Sequence, residues 1–220
     1  MIMVSQERIV EKVREIMNES GENAVQPDAG FLSEDTLSLD KYIVSCIPDA
    51  VLMVITNSSR CVNPKENSSI SVVQEAGENY GHIVCPDDFV TLVALKMKGW
   101  KRIVSKTYGT DSETYRAQCN EATRAGVYKP VGILTVNAQG KKVIEYYSVK
   151  AEHQVEMFVY EASYNEEEGL NMNESDSAFA AICYMTASLV YSIFENPDTA
   201  KQMQVIAINL LSKDTSNETD

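Results

Sequence analysis

The sequence predicts an α+β protein: mainly a helical bundle built from both termini, with a small antiparallel β-sheet or hairpin inserted between them. Two patterns predict this architecture. Near both ends of the chain, apolar residues recur at spacings of three and four, the period of a helix that buries one face. In the middle, residues 131–149 form two β-type runs around a turn-forming segment. Strands and helices do not alternate along the chain, so a doubly wound parallel sheet is not expected.

Residues 1–62 are predicted to form the N-terminal helices of the bundle. Ser5 is a suitable N-cap for the first helix, and Gly21 lies near its expected end. The apolar stripe of this helix consists of Ile9, Val13, Ile16 and Met17. A second helical period covers residues 39–54, and Pro48 within it either kinks one helix or begins another.

The middle of the chain is predicted to contain a polar excursion followed by further helices. Residues 63–84 are rich in Ser, Asn and Glu and contain one short β-type run at residues 70–73. Residues 85–130 are predicted to be the central helices of the bundle. Pro86 suits the first position of a helix, and Gly99 lies where that helix would end.

Residues 131–164 are predicted to form an antiparallel hairpin or meander. Its loop would run from Asn137 to Gly140, two residue types that are common in hairpin turns. A third strand is expected near residues 154–160. Residues 165–175, which include three consecutive glutamates, are predicted to form an acidic loop.

Residues 176–212 are predicted to be a C-terminal helical pair, because the spacing of apolar residues is most regular here. The first helix carries Phe179, Ile182, Cys183, Thr186, Leu189, Val190 and Ile193 on one face. Asn196 would cap the second helix, with Pro197 at its first position. Residues 213–220 are polar and are predicted to be a frayed tail.

The composition limits the classes of function. The chain has 220 residues and a formal net charge of −13, so a freestanding nucleic-acid binder, which needs a basic face, is not expected. Five dispersed cysteines without a C-x-x-C pair predict neither a disulfide framework nor a zinc site, and no cofactor is expected. The N-terminus reaches charged residues too early for a secretory signal, and no run of about 20 apolar residues predicts a membrane span. We therefore expect a protein made in the cytoplasm, without a membrane partner.

The sequence contains no catalytic motif that would support an enzyme. Its two histidines, His82 and His153, have no metal-ligand spacing. A nucleophilic pair of Cys85 or Cys119 with a histidine would meet only in the folded chain, and it is the weakest of the interpretations. We therefore predict no enzyme, no catalytic residue and no metal ligand.

One basic cluster is a candidate for binding. In an otherwise acidic chain, basic charge is concentrated around Trp100 by Lys96, Lys98, Lys101, Arg102 and Lys106. Two interpretations are open. Trp100 could anchor a protein interface whose cations meet acidic residues of a neighbouring copy. Alternatively, Trp100 is buried at a helix end and the cations are its solvated rim. Contact with DNA is disfavoured by the repulsive net charge.

A longer pattern is similar to ring proteins of the tail and head–tail connector of crAss-like bacteriophages. It consists of a helix beginning Pro86-Asp87-Asp88-Phe89, then Gly99-Trp100-Lys101-Arg102, a helix that carries Tyr115, Gln118 and Asn120, then Lys129-Pro130-Val131, and a hairpin ending Glu145-Tyr146-Tyr147-Ser148. A looser match covers residues 39–54 and 179–211. The resemblance implies a non-enzymatic virion protein that forms a dodecameric ring. It also implies the partners of that ring, which are the portal protein and adjacent ring or tail proteins.

The resemblance also implies that DNA passes through the ring only as cargo. The hairpin at residues 131–149 is predicted to contact a neighbouring subunit, because an exposed sheet edge pairs readily with another chain. Tyr146 and Tyr147, at the end of this hairpin, are therefore included among the predicted interface residues. The alternative is a small acidic binding or regulatory protein, monomeric or dimeric, that engages a basic partner.

Overall fold

The computed structural model describes residues 3–19, 34–58, 61–75, 78–149 and 152–212. The elements in these ranges are α1 (Gln6–Glu19), α2 (Glu34–Asn57), β1 (Pro64–Glu66), β2 (Val72–Gln74), β3 (Gly81–Val84), β4 (Phe89–Met97), β5 (Thr107–Tyr108), α3 (Glu113–Gln118), β6 (Gly132–Val136), β7 (Lys142–Tyr146), β8 (Val155–Ala162), α4 (Ser177–Ile193) and α5 (Pro197–Ser212). The predicted helix end at Gly21 and the predicted frayed tail, residues 213–220, lie outside the described residues.

The chain divides into two compact units. The first, here called the helical unit, comprises Met1–Asn63 and Ser163–Asp220, and the second, the β unit, comprises Pro64–Ala162. Every strand from β1 to β8 lies in the β unit, and every helix except α3 lies in the helical unit. The two units therefore bury their apolar residues by different periodicities, 3.6 and 2.0 residues.

Helices α1 and α2 begin the helical unit. The backbone N–H of Arg8 donates to the Ser5 hydroxyl at 3.4 Å, as expected of an N-terminal cap. Ile9 and Val13 are fully buried on the inner face of α1. Helix α2 continues through Pro48 without a second start, so it is one helix with an internal proline.

Helix α4 is the centre of the helical unit, with α1, α2 and α5 all packed against it. The Asp176 side chain caps it by accepting from the N–H of Ala178. Its buried residues are Ala178, Phe179, Ala181, Ile182, Cys183, Met185, Thr186, Ala187, Ser188 and Val190, which cover most of the helix surface. Such an all-round apolar helix is stable only when several elements surround it.

Helix α5 follows α4 after a short turn. The Asn196 side chain accepts from the N–H of Thr199 at 3.3 Å, which is the predicted cap. Three residues of α5, Ala200, Met203 and Ala207, are buried. The Ser188 hydroxyl donates to the carbonyl oxygen of Ala200 at 2.7 Å and joins the two helices.

The β unit contains two sheets. One has the strand order β1-β8-β4 and the other has the order β2-β3-β7-β6-β5, and all neighbours are antiparallel except β5 and β6. Both sheets contribute to one buried cluster: Ile83, Cys85, Phe89, Leu92, Leu95, Met97, Trp100, Val104, Ile144, Tyr146, Val149, Phe158, Tyr160 and Ala162. Within the three-stranded sheet, aromatic side chains of β4 and β8 pack on one another, such as Phe89 and Tyr160 with ring centroids 5.8 Å apart.

The predicted fold class is wrong, because the protein is α+β with two substantial sheets and not a mainly helical bundle with one small hairpin. The error lies chiefly in residues 85–130, where the only helix is the six-residue α3. The predicted helix after Pro86 is strand β4 instead. The N–H of Phe89 donates to the Pro86 carbonyl oxygen at 3.1 Å, which closes a turn. Gly99 has φ +89° and closes the turn at the other end of the strand.

The hairpin at residues 131–149 does form, as β6 and β7 joined by a turn in which Gly140 has φ +78°. However, it is not an exposed edge. Strand β7 pairs with β3 on its other side, and the first two residues of β6 pair with β5. Deleting this hairpin would remove the middle of a sheet, so we expect the β unit not to fold without it. The predicted third strand, β8, pairs with β4 and β1 in the other sheet.

Candidate interaction surfaces

The segment between β4 and β5, residues 98–106, is here called the basic loop. It leaves β4 through a turn at Gly99, and the N–H of Trp100 donates to the Met97 carbonyl oxygen at 3.0 Å. It returns to the sheet at Val104, which exchanges two backbone hydrogen bonds of 2.8 Å with Leu95. The loop is therefore attached to the β unit at both ends.

Trp100 fixes the loop to the core. Its side chain is 2% exposed, and its indole N–H donates to the carbonyl oxygen of Tyr147 at 3.1 Å. Of the two interpretations left open by the sequence, the structure supports the buried tryptophan. A side chain inside the core offers almost no area to a second protein, so the structure gives no support to Trp100 as a direct interface anchor, and that role stays a prediction.

Tyr146 and Tyr147 are also buried, and they do not form a surface. The Tyr146 hydroxyl lies 2.7 Å from Nδ1 of His153, and burial raises the pKa of Tyr146 to about 12. The Tyr147 hydroxyl donates to the Glu145 carboxylate at 2.6 Å. Burial, followed by this hydrogen bond, raises the pKa of Tyr147. We therefore assign both tyrosines to the packing of the β unit.

The outer side of the basic loop is different, because Lys101, Arg102 and Ile103 are exposed. The N–H of Lys101 donates to the Val127 carbonyl oxygen at 2.9 Å, which brings a second segment alongside. In that segment Tyr128 is 69% exposed. We define the basic surface as Lys101, Arg102, Ile103, Lys106, Tyr128 and Lys129.

The cations flanking this surface have internal partners. Lys98 pairs with Glu152 at 2.5 Å, and Lys96 pairs with Glu156 at 2.7 Å. In contrast, the four cations of the basic surface form no ion pair with any carboxylate in the described part of the chain. Lys106 instead lies over the ring of Tyr108, 5.7 Å from its centroid.

A second candidate surface lies on α5 in the helical unit. Val205 and Ile208, one helical turn apart, are 49% and 48% exposed, and Ile206 is also exposed. Residues 202–212 contain no charged side chain in a chain with a net charge of −13. We call Val205, Ile206 and Ile208 the apolar surface of α5. Exposed apolar residues grouped in this way are typical of protein–protein contacts.

Burial suppresses the reactivity of two cysteine thiols. The thiols of Cys85 and Cys183 are buried, and burial raises the pKa of each to about 12, so neither is an activated nucleophile. No group of three or more His, Cys, Asp or Glu residues in the described ranges is arranged to hold a metal ion. Nor does any helix described by the structure combine the length and hydropathy needed to cross a bilayer.

Comparison with known proteins identifies no relative. No protein-family model matches the sequence, and a search of curated proteins finds no significant match. The functional conclusion must therefore depend on the surfaces of the molecule and on the resemblance noted in the sequence.

The sequence identified the basic loop but missed the apolar surface of α5. The spacing of apolar residues predicts one apolar face that includes Ile206, which the structure leaves exposed, and it does not single out Val205 or Ile208; that face is Met203, Ile206, Ala207, Leu210 and Leu211. The available signal was the absence of any charge in residues 202–212, because a helix with one solvated face normally carries charges there.

Proposed function

We propose that this chain is a virion structural protein of a tailed bacteriophage: a ring-forming subunit of the head–tail connector or tail. The ring would stack on the portal protein or a neighbouring ring and form part of the channel for the genome. The protein would be made in the host bacterial cytoplasm and act in the virion. The similarity of residues 85–148 to crAss-like phage ring proteins motivates the proposal, and the surface of α5 supports its assembly role.

The apolar surface of α5 is the observation on which the proposal chiefly depends. A helix that buries only Ala200, Met203 and Ala207 leaves much of its apolar area in water. A second protein surface that covered Val205 and Ile208 would remove this area from water, which is favourable. The lack of charge in residues 202–212 also means that two acidic molecules can meet here with little local repulsion.

Mass photometry of the purified chain, alone and with its candidate portal protein, tests this proposal. A dodecamer would have a mass of about 290 kDa, twelve times the 24.4 kDa of one chain. We expect Val205→Gln combined with Ile208→Gln to shift the population to smaller species without unfolding, since both side chains are exposed. Val73→Gln combined with Val136→Gln is the matched control, because these residues are exposed aliphatic side chains of the β unit.

An assembled species that disappears in the α5 variant and persists in the control would support the proposal. A wild-type chain that remains at 24.4 kDa at every concentration and does not bind the portal protein would contradict it. That result would favour the alternative, an acidic binding protein that acts as a monomer.

A further inference from the structure

We propose that the basic surface of the β unit is the docking surface for the acidic surface of a second copy of this chain. This inference rests on the proposed assembly function and specifies one of its contacts. The contact would join unlike surfaces, a basic one on one copy and an acidic one on the next.

The basic surface is held in place before any partner arrives. Trp100 and Val104, both buried, fasten the basic loop on either side of Lys101, Arg102 and Ile103. The hydrogen bond from the N–H of Lys101 to Val127 attaches the neighbouring segment. A loop fixed in this way loses little conformational freedom on binding, which favours affinity.

The distribution of ion pairs indicates that the cations of this surface are available to an external partner. Acidic residues outnumber basic ones by 32 to 19, and seven of the cations form ion pairs with carboxylates that the structure describes. The cations that form such pairs are Arg8, Lys12, Arg14, Lys65, Lys96, Lys98 and Lys141. The four cations of the basic surface form no ion pair with the carboxylates that the structure describes. These cations, which lie in two adjacent segments, are Lys101, Arg102, Lys106 and Lys129.

The surface also has an apolar centre. Ile103 is 53% exposed and Tyr128 is 69% exposed, and each is next in sequence to an exposed cation, Arg102 and Lys129. Protein interfaces commonly combine an apolar or aromatic centre with a charged rim, and arginine and tyrosine are frequent among the residues that dominate binding energy. A merely solvated loop has no need of two large exposed apolar side chains.

Charge identifies the occupant as an acidic protein surface, and the most concentrated acidic protein in an assembly of this chain is another copy. At a net charge of −13, each copy offers an attractive field to a cationic patch. Two basic surfaces repel one another, so a symmetric pairing of this surface with itself is excluded. Repeated in one rotational direction, a contact between unlike surfaces is head-to-tail, the type that generates rings when the rotation closes, whereas a reciprocal pairing would close a two-fold dimer.

Charge reversal on the full-length chain tests this contact. We expect Lys101→Glu combined with Arg102→Glu to weaken self-association by about tenfold or more in sedimentation velocity at about 50 mM salt. Lys41→Glu combined with Arg116→Glu is the matched control, since it makes the same change of charge at two exposed residues elsewhere. The control should change the dissociation constant by less than about threefold. Wild-type association should also weaken as salt is raised to about 500 mM.

Zero-length carbodiimide crosslinking of mixed isotope-labelled and unlabelled copies locates the contact. We expect mixed-isotope peptides that join Lys101, Lys106 or Lys129 of one copy to a carboxylate of another.

If rings form normally with the Lys101→Glu and Arg102→Glu substitutions while the α5 variant abolishes them, this inference is wrong and the assembly function survives. If the wild-type chain does not self-associate, both are wrong. Binding of a DNA duplex that depends on Lys101 and Arg102 would also overturn the inference that this surface docks a second copy.

Discussion

The two units hold their exposed surfaces by different means. In the β unit, one large side chain, Trp100, fixes the basic loop to the core through burial and an indole hydrogen bond. In the helical unit, α5 is held along its length by small or flexible residues, Ala200, Met203 and Ala207. The charged surface therefore depends chiefly on one large buried side chain, with Val104 and backbone hydrogen bonds beside it, whereas the apolar surface depends on several modest contacts. Single substitutions should consequently have larger effects in the β unit.

The largest expected effect is that of Trp100→Ala. Removing this buried side chain should lower the free energy of unfolding of the β unit by about 3–5 kcal/mol, because it leaves a cavity and an unpaired carbonyl at Tyr147. Hydrogen exchange of β4 and β7 amides measures the change. Trp100→Phe, which retains most of the volume, should cost less. Equal protection in wild type and Trp100→Ala would show that the loop is not anchored in this way.

Met203→Ala makes the corresponding change under α5. Met203 is 5% exposed, and its truncation should cost about 2–3 kcal/mol because it is one of three buried contacts. Hydrogen exchange of α5 amides measures the loss of protection. If Met203→Ala lowers the protection of α5 amides more than Trp100→Ala lowers that of the β-unit amides, single substitutions do not have their larger effects in the β unit.

The two capped helices provide a smaller test. Asp176→Ala removes the side chain that caps the 17-residue α4, and Ser112→Ala removes the cap of the six-residue α3. Each substitution should lower the free energy of local unfolding of its helix by about 1 kcal/mol. The protection of α4 amides should nevertheless remain high, since α4 is surrounded by three helices, whereas α3 amides should exchange rapidly. Retained protection of α3 in Ser112→Ala would contradict this expectation.

The smallest expected effect is a pH dependence of the β unit. Burial lowers the pKa of His153 below its ordinary value of 6.5. The folded state therefore binds a proton less readily than the unfolded state, and stability is lost as pH falls through the ordinary histidine range. We expect urea midpoints to decrease between about pH 7.5 and 5.5. The decrease of the urea midpoint should be smaller in His153→Gln and unchanged in His82→Gln. Equal pH dependence of the midpoint in both variants would show that His153 is not its source.

The helical pair α4 and α5 was predictable from sequence because each helix buries residues at regular intervals and because Asn196 and Pro197 mark the boundary between them. The hairpin turn was predictable for a similar reason, since the positive φ of Gly140 favours glycine. In these elements the local signal and the packed structure agree.

Strand β4 was not predictable because its register with β8 shifts at three points. Each shift interrupts the alternation of buried and exposed residues, so the period-two signal disappears. Pro86 and Gly99, which are typical of helix ends, are equally compatible with the turns they occupy here. The pairing of β8 with β1 and β4 joins residues distant in sequence, and one sequence contains no direct signal for it.

The candidate surface was predictable in part. The concentration of Lys101, Arg102 and Lys106 was visible in the sequence, but the burial of Trp100 beneath them depends on tertiary packing. The proximity of Tyr128 and Lys129 depends on a backbone hydrogen bond between Lys101 and Val127. Only the folded β unit brings these two segments together.

Two-dimensional class averaging of negatively stained protein, alone and mixed with the candidate portal protein, tests the proposed assembly most directly. The account predicts closed rings, or rings that cap the portal, and the class averages would give the symmetry. Isolated small particles that do not associate with the portal under any condition would contradict it.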